Sequence, residues 1–452
     1  MANTTTSGVT FSILSPDASL SYDRIKLRLE EYRTLLASDS DTIELSTENG
    51  KTLICRTQAK EMEEFLDQAE VLLKNVVQSR DSSMLIILHH LRDLAGVLDN
   101  LKLYDECRLT ENFALDLAEA LGRESLEFRQ EQAETVAHIA GLSVYQPRAR
   151  TLFIQAISIG EEVVENDPSH SNTFKLLTVL ARAGSWASGD LSVQWLGRTI
   201  QLMTKELPPT MVDPSFRSVI YYNYGVSLYQ LKQYANAAEA YHESVSTRRT
   251  LVSNNPAKHS YLFAMALTNM GNTFRELGKH NDGVAAYKEV LDICTAMPTP
   301  GPLQYNELIA NALVNYGTTL AKLKHFSEAA ALEKQAISFY RNLGREQTEN
   351  LCTALHIYGR TCCSLGKHAE AVLAYQESIP LRRARAATDP EQENYLKGAL
   401  HDIANSFNAL GKCVEANAAA AEALEKNHGR VFGWCNDAPY FKSCFVCHRG
   451  TI

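Results

Sequence analysis

The sequence is short of most features that announce a chemistry. It contains no run of 18 apolar residues, so no stretch is long enough to cross a bilayer as a helix. The Thr- and Ser-rich start, Met1 to Leu20, lacks the apolar centre a secretory signal needs. There is no basic stripe, and a formal net charge of −9 argues against a nucleic-acid partner. No Gly-rich phosphate loop followed by Lys-Ser/Thr occurs, and no H-E-x-x-H, G-x-S-x-G or dinucleotide fingerprint. Nothing converges as a catalytic constellation does, and the reading is a non-enzyme without cofactor. The ten cysteines are scattered, several in apolar positions (Cys107, Cys362, Cys413). They read as small buried hydrophobes of a reducing compartment, which places the chain in the cytoplasm. Only 13 prolines in 452 residues leave room for a helix-rich chain.

What is present is a period. A small residue recurs at Ala95, Ala137, Ala181, Gly225, Gly271, Gly317, Gly359 and Ala404, at spacings of 42, 44, 44, 46, 46, 42 and 45 residues. Regular spacing in this range marks a solenoid, in which each unit buries its apolar face against its neighbours. Three apolar columns run in register with this anchor. Four before it stand Leu91, Ala133, Leu177, Tyr221, Leu267, Leu313, Leu355 and Leu400, with further columns one before and three after. These offsets make one stripe of a 3.6-residue helix, with the small anchor where a second helix approaches. Twelve residues on lies another mostly small column, including Ala149, Ala237, Gly283, Ala329, Ala371 and Ala416. Turn strings such as Leu277-Gly278-Lys279-His280 and Leu365-Gly366-Lys367-His368 separate the two helices, Gly accepting the left-handed conformation that ends the first. Proline follows the anchor by 31 residues at Pro168, Pro256, Pro302 and Pro390, marking the boundary to the next unit.

His280, His325 and His368 lie one repeat apart, roughly 10 Å between helix neighbours, too far to share an ion. Leu381-Arg382-Arg383-Ala384-Arg385 reads as a solvated face of a second helix. In the non-periodic residues 21–83, 42–56 alternate apolar and polar around Asn49-Gly50, which suggests a β-hairpin, a loop being the alternative. This region is assigned as the N-terminal cap, preceded by a disordered 1–20. The tail, 428–452, carries Cys444-Phe445-Val446-Cys447-His448, a match to covalent haem attachment that lacks any export address. Adding Cys435 gives a Cys₃His set of zinc-type ligands at an uncommon spacing, and Cys444 with Cys447 a redox pair. No metal is assigned. Trp434, Tyr440, Phe441 and Phe445 read instead as a structural cover for the last helix pair.

Paired helices with a small anchor, an aromatic near the turn, Ala in the second helix and a closing Pro resemble the tetratricopeptide repeat. Strings such as Asn223-Tyr224-Gly225 and Asn315-Tyr316-Gly317 are similar to the extended repeats of kinesin light chains and of sensor arrays in fungal and bacterial signalling proteins. The resemblance implies an all-α, right-handed solenoid of about eight helix pairs over 84–427, whose first helices line a concave groove. Two before the anchor stand Asp93, Thr135, Val179, Asn223, Asn269, Asn315, Ile357 and Asp402. An amide offers both a donor and an acceptor to a peptide backbone. The resemblance implies that role for Asn223, Asn269 and Asn315; the alternative is that Asn tolerates a wet inner surface. Tyr222, Asn272, Arg275, His356, Arg360 and Asn405 face the same way and would set specificity, the arginines pairing with acidic ligand groups. Asp93, Asp99, Glu131 and Glu134 suggest an acidic groove at the N-terminal repeats. The expected partner is a protein segment in extended conformation, with neither nucleic acid nor membrane involved. The alternative is a sensor array whose nucleotidase or protease domain is absent, and for which self-association matters more.

Overall fold

The computed structural model describes residues 84–425 apart from short breaks (102, 124, 143–147, 297–302, 345–346, 388 and 390–391), with 42–47, 50–55, 64–72 and most of 25–33. Its contacts divide the chain into two units, Met1–Val212 and Asp213–Ile452.

In the first unit, helical residues within 25–33 precede, and helical residues 64–72 follow, an antiparallel hairpin of β1 (Thr42–Thr47) and β2 (Gly50–Cys55), in which Thr47 pairs with Gly50 and Thr42 with Cys55. Three helix pairs follow: α1 (Met84–Asn100) with α2 (Tyr104–Gly122), α3 (Leu126–Leu142) with α4 (Ala149–Asn166), and α5 (His170–Trp186) with α6 (Gly189–Gln201). A π-helical turn, Leu202–Glu206, continues α6. The second unit stacks five pairs: α7 (Pro214–Gln230) with α8 (Tyr234–Asn254), α9 (Pro256–Glu276) with α10 (His280–Thr295), α11 (Leu303–Lys322) with α12 (Phe326–Leu343), α13 (Thr348–Ser364) with α14 (His368–Ala386), and α15 (Gln392–Ala409) with α16 (Cys413–Glu425). Within each unit every helix packs on the next in sequence, and each inner (first) helix also on the following inner helix.

Helix starts are written in the sequence. Asp213 accepts from the backbone N–H of Ser215 (2.8 Å) and Phe216 (3.2 Å), with Pro214 in the first turn of α7. Asn255 caps α9 in the same way, accepting from Lys258 N–H at 3.2 Å before Pro256. Pro302 and Pro390 lie outside the described residues. Helix ends repeat even more strictly. In all five pairs of the second unit the N–H eight residues past the anchor (Gln233, Lys279, His325, Lys367, Lys412) donates to the carbonyl three past it, at 2.8–2.9 Å. That six-to-one bond closes a Schellman cap, which requires positive φ in between. Gly278, Gly366 and Gly411 supply it at 72–73°, and Lys232 and Lys324 adopt it at 61° and 65°.

The anchors and the leucines four before them are buried, apart from the half-buried Tyr221. At the four glycine anchors the space a Cβ would need is taken by the side chain sixteen residues downstream. A Cβ on Gly225, Gly271 or Gly359 would lie 2.5–2.9 Å from the ring of Tyr241, Tyr287 or Tyr375, and on Gly317 it would lie 2.8 Å from Glu333. Those second-helix side chains are buried, and each lies across the inner helix where a methyl group would stand.

The arginine run on α14 departs from the expected solvated face. Arg382 is buried, donates to the Cys352 carbonyl at 3.2 Å and lies over the Tyr395 ring. Arg383 makes two bonds to Glu422 (2.7 and 2.8 Å), and Arg385 bonds Glu349 at 2.6 Å. Successive helical residues point about 100° apart, so one linear run serves three neighbours.

Candidate interaction surface on the inner helices

In the second unit the inner helices present side chains three before, two before and four after the anchor toward one another. The structure ties these across consecutive repeats. Asn269 Nδ2 on α9 donates to the Tyr222 hydroxyl on α7 at 3.0 Å. Arg275 Nη1 on α9 donates to Asn315 Oδ1 on α11 at 3.2 Å. His356 Nε2 on α13 stands 3.3 Å from Asp402 Oδ2 on α15. Tyr222–Asn269 and His356–Asp402 occupy the same register, three before the anchor of one repeat against two before the anchor of the next. Between them, Val314 and Ile357 hold those positions with apolar side chains.

The nine residues singled out from sequence are therefore not equivalent. Asn269, Asn272, Asn315 and His356 are buried. Asn272 accepts from the Tyr287 hydroxyl at 2.7 Å, and thereby holds the ring that crosses Gly271. Asn315 Oδ1 is taken by Arg275, while its Nδ2 is buried with no hydrogen-bond partner. Tyr222, Asn223 and Arg275 are half-buried, and Arg275 also bonds Glu276 Oε1 at 3.1 and 3.3 Å. Arg360 and Asn405 are exposed, and Asn405 Nδ2 lies 3.2 Å from His401 Nδ1. Burial holds His356 below the usual imidazole pKa despite the Asp402 bond. A neutral ring then donates to an ionised carboxylate. The arrangement can offer amide, phenol and guanidinium groups to a ligand lying across successive repeats; it brings together no nucleophile and base. Among the described residues no group of three or more His, Cys, Asp or Glu is placed to hold a metal, and no helix is long and apolar enough to cross a membrane. Cys435, Cys444, Cys447 and His448 lie outside the described residues.

Profiles of the tetratricopeptide repeat match residues 308–384 and 219–250. These two segments of the second unit are tetratricopeptide repeats. No curated protein matches it. Solved structures share the fold: the apo form of RapI at 8% identity and TM-score 0.50, covering 75% of this chain and 97% of that one. A signal-transduction ATPase with numerous domains and a tetratricopeptide-repeat sensor, from Pyrococcus horikoshii, aligns at 12% identity and TM-score 0.50, over 90% of this chain and 62% of that one. A kinesin light chain-type protein of nearly identical repeats from Podospora anserina aligns at 15% and 0.38, over 47% and 96%.

On the inner helices of the first unit, two of the four acidic side chains, Glu131 and Glu134, are met by cations. Glu131 stands 3.2 Å from His89, 3.7 Å from Arg92 and 3.5 Å from Lys175, and Glu134 stands 3.6 Å from Lys175. The charges reading acidic along one helix are met by cations from the two flanking inner helices. Those cations sit at anchor-relative offsets that a search for Asn alone passes over: His89 and Lys175 six before, and Arg92 three before.

Proposed function

We propose that this chain is a non-catalytic interaction scaffold, and that the inner helices of its second unit hold an extended peptide segment of a partner protein. The repeat family supports a protein-binding role in general. The observation that carries the finer reading is the run of polar side chains joined across successive inner helices, flanked by the exposed Arg360 and Asn405. In this reading Arg360, Asn405, Tyr222, Asn223 and Arg275 touch the ligand. The buried Asn269, Asn315 and His356 hold their neighbours in place. A ligand carrying acidic residues over the central repeats meets Arg275 and Arg360 by charge-assisted hydrogen bonds.

Proximity labelling and pull-down with the wild type, Arg360→Ala/Asn405→Ala and Asn269→Ala/Arg275→Ala test it. Both variants should lose the specifically enriched partner while keeping their helical melting transition. Unchanged enrichment in both rejects the groove.

The likeness of fold to the Pyrococcus sensor favours one second reading, a regulatory array that docks on a catalytic domain or on itself. In that case the enriched protein carries an ATPase or protease domain, or is the chain itself.

A further inference from the structure

We infer that the outer face of α16, with the exposed Leu373 of α14, is a docking surface for this chain's own segment 426–452, which lies outside the described residues. Val414 is 81% exposed and Leu373 66%. Ala418 and Ala421 continue the exposed face of α16 along one helical stripe. On the other outer helices of the unit this stripe is polar. Seventeen past the anchor, where α16 has Ala421, α8, α10, α12 and α14 carry His242, Lys288, Lys334 and Gln376, all exposed. Arg383 of α14 bonds Glu422 of α16, and ten residues back along each helix Leu373 comes level with the start of α16. This is not the face on which repeats stack. Val372, Tyr375 and Ile379 of α14 share a buried cluster with Leu396 and Leu400 of α15, and the offset of Ile379 falls on Leu424 in α16.

Ala416, Ala419 and Ala423 already pack α16 on the core, so its apolar outer stripe makes it a helix that is apolar on both sides. Such a helix belongs under cover. Charge selects the cover. Helix α16 carries Glu415, Glu422 and Glu425 and no Lys or Arg, whereas 426–452 carries Lys426, Arg430, Lys442 and Arg449 against the single acid Asp437. The segment also supplies matching apolar surface in Phe432, Trp434, Tyr440, Phe441 and Phe445. It starts where α16 ends. The 13 residues of α16 span about 20 Å, and an extended chain gains about 3.3 Å per residue, so the segment runs back along the whole helix with residues to spare. Attachment holds it at an effective concentration in the millimolar range, which a second copy in dilute solution does not reach. The surface lies on the outer helices, apart from the groove proposed on the inner ones, and does not depend on it.

The test uses the full chain with the photo-crosslinking residue p-benzoylphenylalanine in place of Val414, of Leu373 or, on the stacking face, of Leu424. Irradiation and peptide mapping should join the first two positions to residues 426–452 of the same molecule, with a yield unchanged on dilution. Independently, Val414→Asp should speed tryptic cleavage after Arg430 and Lys442 roughly tenfold, with helical content kept and Val414→Ile cleaved as the wild type is. Crosslinks from position 414 that form only between molecules and fade on dilution make the occupant a second copy and overturn the proposal. Crosslinks to 426–452 from position 424 alone place the segment on the stacking face and overturn it as well. So does the absence of any crosslink from position 414 to that segment, or cleavage of folded Val414→Asp at the wild-type rate.

Discussion

At Gly271 the inner helix carries no side chain because the Tyr287 ring fills that space, held by its hydroxyl bond to Asn272. Alanine there gains about 1 kcal/mol of helix propensity, yet forces a methyl group into a fully buried ring, an overpacking that costs about 1–3 kcal/mol. Gly271→Ala should therefore be destabilising by denaturant titration, and Tyr287→Val should make the same glycine substitution neutral or stabilising. Additive effects in that cycle would remove the ring as the cause. Glu333 takes the tyrosine's place across Gly317, accepting from the Thr361 hydroxyl at 3.1 Å while its second oxygen has no partner. Burial raises this carboxyl to about 8. The folded state thus binds a proton that the unfolded chain releases near its ordinary value of about 4.3, so its contribution is fully present below that value and is lost as pH rises to 8. Glu333→Gln should flatten this limb. The stability difference between pH 5 and pH 8, measured on both proteins, should be larger for the wild type by an amount on the order of a few kcal/mol.

The elements show two devices that recur from repeat to repeat. One is the Schellman cap, where Lys324 adopts a φ of 65° that its neighbouring repeats give to glycine. Left-handed backbone costs a residue with a Cβ roughly 1 kcal/mol, so Lys324→Gly should raise stability by roughly 0.5–1 kcal/mol, seen as a higher midpoint without a change in m-value. A lower midpoint would mean the Lys side chain contributes more than its backbone loses. The other device is a ladder on the outer helices. The arginine 24 past one anchor forks onto the glutamate 18 past the next: Arg249 on Glu289, Arg341 on Glu377, Arg383 on Glu422. The step from the α9–α10 pair to the α11–α12 pair lacks it, having Thr295 and Gln335 at those positions. Both devices were legible in the sequence once the period was known, because each is a fixed offset from the anchor. The Tyr/Glu column at sixteen was legible in the same way, but it does not alone dictate glycine, since Ala95 and Ala137 stand sixteen before the buried Glu111 and Phe153. Burial of Asn269 and Asn315 was not legible. Whether an inner-face position meets solvent depends on how closely adjacent inner helices pass, which no single helix encodes. The same limit hid the partners of Glu131, since its cations come from helices about 40 residues away on either side.

Across a repeat array, stability is approximately a sum of unit terms and nearest-neighbour interfaces. Leu313 is buried in a cluster with Val314, Ile337, Tyr340 and Leu355, drawn from α11, α12 and α13. Truncating it removes contacts worth about 2–5 kcal/mol, a large share of the protection any one repeat can have. In a nearest-neighbour stack the loss stays local, because opening of α11–α13 removes interfaces only from the helices that flank them. Leu313→Ala should therefore raise amide exchange in α11–α13, less in α10 and α14, and leave α1–α4 of the other unit as in the wild type. Hydrogen-exchange mass spectrometry on the full chain reads all these segments at once. A uniform rise across both units would mean that the repeats unfold as one cooperative body. A local rise would make each inner-helix junction separately adjustable, so that a ligand joining several repeats is bound partly through the order it imposes on them.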